Sequence, residues 1–324
     1  MRDGIVSEKA SFSMWKLLGW MCLPIPFFIY QIMTRLREQK ERKALQGKVV
    51  LITGASSGLG ESLAHAFYMA GCKVVLSARR KEELERVRKD LLECYSVSPT
   101  YPPVVVPLDL TDVNGLSEKV NSILTIFGHI DILVNNGGIS VRSDVLSTSV
   151  DVDIKIMLVN YFGAVALTKA ILPHMIKRRK GRIVFVSSIQ GKFAIPQRSA
   201  YAASKHALQA FGDSLRAEVD EHNVRVTTVS PGYINTALSI NALTGSGTTY
   251  GKMDPSTASG ANPDDMALDI LRCVLRDEKD VILASIPPKI AYYLRYFCPS
   301  AYFWIMARRA VKLAAEKEIK DKET

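Results

Sequence analysis

Lys48-Val-Val-Leu-Ile-Thr53 runs directly into Gly54-Ala-Ser-Ser-Gly58-Leu-Gly60, and Glu61 to Ala70 follows with helical character. The apolar run reads as a buried β-strand. A buried strand that turns through glycines into a helix is the opening of a doubly wound, parallel α/β sheet. The turn brings backbone N–H groups and a helix N-terminus against a pyrophosphate. Gly54, Ser56, Ser57, Gly58, Leu59 and Gly60 are therefore candidate phosphate-binding residues. Their spacing is G-x-x-x-G-x-G, not the commoner G-x-G-x-x-G, so the flanking strand and helix carry the reading.

Later segments extend the same pattern. Lys73 to Ser77 is a second strand, ending at Ala78-Arg79-Arg80. An acid there would hold the ribose 2′-hydroxyl of NAD. Arg79 instead suits a 2′-phosphate, which favours NADP(H) over NAD(H). The plainer alternative is that Arg79 and Arg80 open the charged helix Lys81 to Glu93. Val104 to Asp109 reads as a third strand, with the Asp109 carboxylate near the adenine edge. Ile130 to Val134 is a fourth, broken by Asn135-Asn136-Gly137-Gly138. Gly181 to Ser188, Val224 to Val229 and Val281 to Ala284 supply the remaining strands, about seven in all. Ligands of such sheets sit beyond the carboxyl ends of the strands.

Tyr201 and Lys205 are four residues apart and share one face of a helix. A cation beside a phenol favours phenolate, which makes tyrosine a usable proton donor or acceptor near neutrality. On its own the spacing also fits a surface helix. Other motifs at fixed distances give it weight.

Those motifs are Thr53-Gly54-x-x-x-Gly58-x-Gly60, Asp109, Asn135-Asn136-Gly137-Gly138, Asn160, Ser188, Tyr201-x-x-x-Lys205 and Pro231-Gly232. Together the chain resembles a short-chain dehydrogenase/reductase, over about residues 47 to 285, with a Rossmann fold. It is similar to the member 7 branch of those proteins. The resemblance implies that Tyr201 is the general acid or base and that Lys205 lowers its pKa and holds the nicotinamide ribose. It gives Ser188, thirteen residues before Tyr201, the substrate oxygen, and gives Asn160 a proton-relay water. Asn136, Pro231, Gly232 and Thr236 fall on the cofactor side. Ala237 to Pro263 becomes a substrate lid, with Asn241, Leu243 and Tyr250 as candidate wall residues. A homodimer through helices near 151–177 and 200–220 is implied as well. Gly137 departs from the usual alanine and should loosen its loop. No metal is called for.

The 324 residues carry a net charge of +10, concentrated in Arg35–Lys48 and Lys177–Arg182, while the lysines of the last fifteen residues are matched by acids. Such blocks suit an anionic membrane surface or a solvated face, and no nucleic-acid motif accompanies them. Five dispersed cysteines without CxxC spacing indicate neither a disulfide framework nor a zinc site, and read mostly as buried or interfacial thiols.

Leu17 to Met33 is a nearly uncharged apolar run, flanked by Trp15 and Trp20, with Tyr30 near its far end. It reads as a membrane anchor kinked by Pro24 and Pro26, or as an interfacial hairpin. Arg35, Arg37, Lys40, Arg42 and Lys43 outweigh Arg2, Lys9 and Lys16, which puts the main domain in the cytosol. The related proteins are usually assigned to the endoplasmic reticulum lumen, the alternative topology. Lys320 and Lys322, fifth and third from the end, fit a dilysine retrieval signal for that membrane.

The expected organisation is an anchor at 1–34, a basic linker at 35–46, a catalytic domain at 47–285 and an aromatic, then basic extension at 286–324. The extension reads as an interfacial segment, a cover over the substrate mouth, or ordinary core. The expected chemistry is carbonyl–alcohol interconversion on a hydrophobic small molecule such as a retinoid, steroid or lipid carbonyl. The alternative is a cofactor-binding sensor or membrane scaffold.

Overall fold

The computed structural model describes residues 24–95 and 101–322. The chain divides into two compact units, Met1–Ala44 and Leu45–Thr324.

In the first unit, α1 spans Pro24–Ala44. Pro24 and Pro26 are the first and third residues of that span. Phe28, Ile29, Ile32, Met33 and Leu36 are exposed. Arg42 and Lys43 close the last turn, where positive charge suits the helix dipole. The basic stretch expected as a linker is thus helical up to Ala44. Arg2, Lys9, Trp15, Lys16, Trp20, Cys22 and the apolar run from Leu17 to Leu23 lie outside the described residues.

The second unit is built on seven parallel strands: β1 Val49–Thr53, β2 Lys73–Ser77, β3 Val104–Val105, β4 Ile132–Asn135, β5 Gly181–Val186, β6 Val224–Pro231 and β7 Asp280–Leu283. Their order is β3-β2-β1-β4-β5-β6-β7. The helices between them are α2 Gly58–Met69, α3 Lys81–Cys94, α4 Leu116–Phe127, α5 Val150–Met157, α6 Gly163–Arg178, α7 Ser199–Glu218, α8 Pro255–Ala258 and α9 Pro263–Arg276. After β7 come α10 Ile286–Phe297 and α11 Pro299–Lys322.

Successive strand residues face opposite sides of the sheet. Val50 and Ile52 of β1 join one core with Leu63 and Phe67 of α2 and Ile270 and Val274 of α9. Val49 and Leu51 join the other with Leu167 and Ile171 of α6 and Leu208 of α7. Every residue of β1 is buried, as a strand covered by helices on both faces must be. The order reverses between β1 and β4, which opens a crevice at their carboxyl ends.

The third strand is shorter than its sequence suggests. The regular ladder stops at Val105, yet the chain stays alongside β2 through Val106 N to Leu76 O and Leu108 N to Ala78 O, and Pro107 falls between these donors at the sheet edge, where no N–H is needed. β6 runs two residues beyond the expected Val229, to Pro231. Cys72 and Cys273 are buried, but Cys94 and Cys298 are exposed. Among the described residues the helix long and apolar enough to cross a bilayer is Val150–Arg178. It packs on the sheet through Leu167, Ile171 and Met175, so it is a core helix.

Candidate active site

Thr53 closes β1, and its hydroxyl binds that strand to the end of β4. Its Oγ1 accepts from the backbone N–H groups of Asn136 at 3.0 Å and Gly137 at 2.9 Å. The Asn136 amide donates to Thr53 O at 2.9 Å. Asn136 therefore braces the glycine loop with its side chain. A Cβ on Gly60 would lie 2.1 Å from Gly54 O and 2.6 Å from the Asn136 amide nitrogen, so only glycine fits there. Gly54 and Gly58 have φ of 68° and 56°, in the region that favours glycine. Ser57 precedes α2 without capping it by its side chain, which leaves first-turn N–H groups of that helix for a ligand.

A cavity of about 870 Å³ opens at this point. Gly54, Ser56, Ser57, Gly58, Leu59, Gly60, Arg79, Asp109 and Asn136 line one end. Pro231, Gly232 and Thr236 line it as well, and Thr236 comes so near the loop that a Cβ on Gly58 would sit 3.1 Å from its Cγ2. Ser188, Tyr201 and Lys205 lie in the same cavity. Asp109 Oδ1 accepts from Thr111 N at 2.9 Å, which fixes the carboxylate at the rim. Arg80 binds the loop directly, with Nη2 at 3.3 Å from the Ser56 hydroxyl and 3.4 Å from that of Ser57. The sequence reading gave Arg80 no such contact.

A Cβ on Gly137 would meet Leu110 Cδ1 at 2.7 Å, so glycine makes room for a neighbouring side chain.

Tyr201 and Lys205 are buried on α7. Burial pushes the Tyr201 phenol up; a hydrogen bond with Ser188, then Arg142 and Arg198, oppose that by favouring phenolate. Lys205 Nζ donates to Val186 O at 3.0 Å and lies 5.8 Å from the Tyr201 ring centroid. Burial pulls its pKa down to about 8. The two arginines were absent from the sequence reading. Arg142 Nε and Arg198 Nη2 both donate to Asp254 Oδ2, at 2.5 and 3.0 Å. Two guanidinium groups thus share one carboxylate on the wall beside Tyr201. Residues 112 and 56 positions away from Asp254 give no local pattern from which to find this contact.

Asn160 does not line the cavity. It sits in a single π-helical turn, Leu158–Phe162, between α5 and α6. Its amide joins Ile139, just beyond β4, to the Ser204 hydroxyl on α7, 3.0 Å away. Ser187, one residue before Ser188, directs its hydroxyl to Lys205 O instead.

The far wall holds Ile189, Phe193, Ile195, Leu238, Asn241 and Leu243. The C-terminal extension reaches it too, through Pro287, Pro288 and Ala291 of α10 and Met306 and Arg309 of α11. Tyr250 does not line the cavity; burial, with Asp254 beside it, raises its phenol pKa. Away from the cavity, His65 lies near Asp90 and Glu61. Glu61 is engaged there by Arg86 at 2.8 Å, so the cluster is an ion-pair network.

The family model described as short chain dehydrogenase matches residues 48–245. The chain belongs to the short-chain dehydrogenase family. It is 64% identical over 311 residues to the dehydrogenase/reductase SDR family protein 7-like of Anopheles gambiae, covering 95% of this chain and 98% of that one. It is 47% identical to dehydrogenase/reductase SDR family member 7B of Bos taurus, over 93% and 87% of the two chains. Among solved structures, an alcohol dehydrogenase from the archaeon Thermococcus sibiricus, complexed with 5-hydroxy-NADP, superposes with a TM-score of 0.62 at 25% identity, over 74% and 96%. The protein is thus an oxidoreductase of the CH–OH group that uses a nicotinamide cofactor. Its glycine loop, uncapped helix start and long cavity suit that cofactor.

Proposed function

We propose a membrane-anchored, NADP(H)-dependent enzyme that interconverts a carbonyl and an alcohol on a hydrophobic substrate. The observation that carries this reading is the convergence of Ser188, Tyr201 and Lys205 with the glycine loop in one cavity. When bound, the nicotinamide supplies or accepts the hydride. In reduction Tyr201 gives its phenolic proton to the carbonyl oxygen, and in oxidation it takes the alcohol proton. Ser188 hydrogen-bonds that oxygen and stabilises the charge that develops on it. Lys205 would hold the nicotinamide ribose of a bound cofactor and adds positive charge near the phenol. Asn160 positions α7 through Ser204.

NADP(H) over NAD(H) is supported by Arg79 at the end of β2, where no acid stands to hold a 2′-hydroxyl. A retinoid, steroid or lipid carbonyl is supported by the apolar far wall, from Ile189, Phe193 and Ile195 to Met306. The anchor and dilysine tail support a place at the endoplasmic reticulum membrane, with the catalytic domain in the cytosol. A homodimer through Val150–Arg178 and α7 is supported by exposed Val150, Ile154 and Phe162.

The test is NADPH consumption by solubilised protein over retinal, steroid ketones and lipid aldehydes, beside Tyr201→Phe. The variant is expected to bind NADPH and to turn nothing over. Binding without turnover in the unaltered protein would replace the enzyme with a cofactor sensor.

A further inference from the structure

An exposed apolar surface of the second unit lies on its last two helices. Ile286, Ile290, Tyr293 and Phe297 recur every three or four residues along α10, on one face. They are 72%, 58%, 58% and 82% exposed. Tyr296 of α10 and Phe303 and Trp304 of α11 are exposed as well. The other side of α10 is occupied: Ala291, Tyr292 and Leu294 pack against Phe193, Ile195 and Tyr302. Tyr302 Oη also donates to Ala194 O, which ties α11 to the loop after β5. A well-seated helix pair therefore presents aromatic side chains to its surroundings, which a water-facing surface rarely does.

Charge identifies what covers this face. Between Ile286 and Lys312 the sequence has Lys289, Arg295, Arg308, Arg309 and Lys312, and no acid. Arg308 lies 4.3 Å from the Trp304 ring centroid and Arg295 lies 4.8 Å from that of Phe303. A second copy of the same face would bring like charge against like charge. An anionic bilayer matches both features, since aromatic rings sit at the headgroup level and lysine and arginine meet lipid phosphate. Pro287, Pro288, Ala291, Met306 and Arg309 of these two helices also line the cavity.

We propose that α10 and α11 form a membrane-seating surface, and that the cavity receives its hydrophobic substrate from the bilayer through it. The surface stands on the exposed residues alone; the route of access rests on the function proposed above.

The chain has three tryptophans. Full-length protein with Trp15→Phe and Trp20→Phe keeps Trp304 as its one fluorophore of that kind. It is placed in phosphatidylcholine–phosphatidylserine vesicles with brominated acyl chains. Quenching of Trp304 by the bromolipid, with shielding from aqueous acrylamide, is the expected result. Quenching by acrylamide alone would put the face in water, and quenching by neither would put it against protein; either overturns the seating surface.

Tyr293→Asp with Phe297→Asp tests the route. Activity on a vesicle-embedded carbonyl should fall about tenfold, with activity on a water-soluble carbonyl and NADPH binding unchanged. Unchanged activity on the embedded carbonyl, or an equal loss on both, overturns the route. Absence of turnover on any carbonyl in the unaltered protein overturns the proposed function, and with it the route, while the quenching result still decides the surface.

Discussion

Asn160 and Ile139 hold each other through a reciprocal pair of hydrogen bonds. Ile139 N donates to Asn160 Oδ1 at 2.8 Å, and Asn160 Nδ2 donates to Ile139 O at 2.9 Å. The same amide nitrogen reaches the Ser204 hydroxyl, which itself donates to Tyr201 O at 2.8 Å. One side chain thus couples the end of β4 to the helix that carries the reactive phenol. Asn160→Ala leaves the partly buried Ile139 N–H and C=O unpaired and should cost about 1–3 kcal/mol by urea unfolding. Asn160→Asp keeps the acceptor but loses the donor, and should restore only part of that. Equal stability of all three proteins would refute the coupling.

Lys205 should leave a signature in stability against pH. Burial lowers its folded pKa from 10.5 to about 8. Between those values the unfolded chain binds more protons at this residue than the folded one, so stability gains with rising pH. The full difference is about 3 kcal/mol. Lys205→Met should lack that rise, and should lose turnover while matching or exceeding the parent in stability at neutral pH. Parallel curves for the two proteins from pH 8 to 10.5 would contradict the assignment.

Asp254 separates two like charges. Its side chain is 12% exposed, against 6% and 10% for Arg142 and Arg198. Asp254→Asn removes the carboxylate and leaves both guanidinium groups buried, a loss of about 3–5 kcal/mol. The added positive potential favours phenolate at Tyr201. The pH profile of alcohol oxidation should therefore move to lower pH. A profile that stays in place or rises would show that this pair does not act on Tyr201.

Two glycines near Leu110 should respond differently to alanine. At Gly163 a Cβ would lie 2.5 Å from Leu110 O and 2.7 Å from its Cβ, so backbone has to move. At Gly137 the close atom is the Leu110 Cδ1 methyl, which can rotate away. Gly163→Ala is expected to cost about 1–3 kcal/mol, and Gly137→Ala less than about 1. Thermal melts of the two variants side by side check the order.

Arg79 and Arg80 can be told apart kinetically. If Arg79 meets a 2′-phosphate, Arg79→Ala should raise KM for NADPH about tenfold, near 1.4 kcal/mol, and leave NADH unaffected. Arg80 instead binds Ser56 and Ser57, so Arg80→Ala should weaken both cofactors. Equal effects of Arg79→Ala on the two cofactors would remove the 2′-phosphate contact.

Much of the molecule is legible in the chain itself. The apolar strands, the glycine loop at Gly54–Gly60 and the helical spacing of Tyr201 and Lys205 follow from local pattern, whereas Ser188 was reached through the family resemblance. Backbone sterics, helix periodicity and parallel-sheet topology act over short stretches or repeat regularly. Tertiary structure decided what no local pattern encodes. Arg142, Arg198 and Asp254 meet only because the loop after β4, the start of α7 and the residue before α8 converge. Asn160 serves as a clamp only because a π-turn places it between Ile139 and Ser204. The aromatic face of α10 becomes distinct only once its opposite side has packed on Tyr302. Those relations depend on distances between segments far apart in sequence, and folding alone sets such distances.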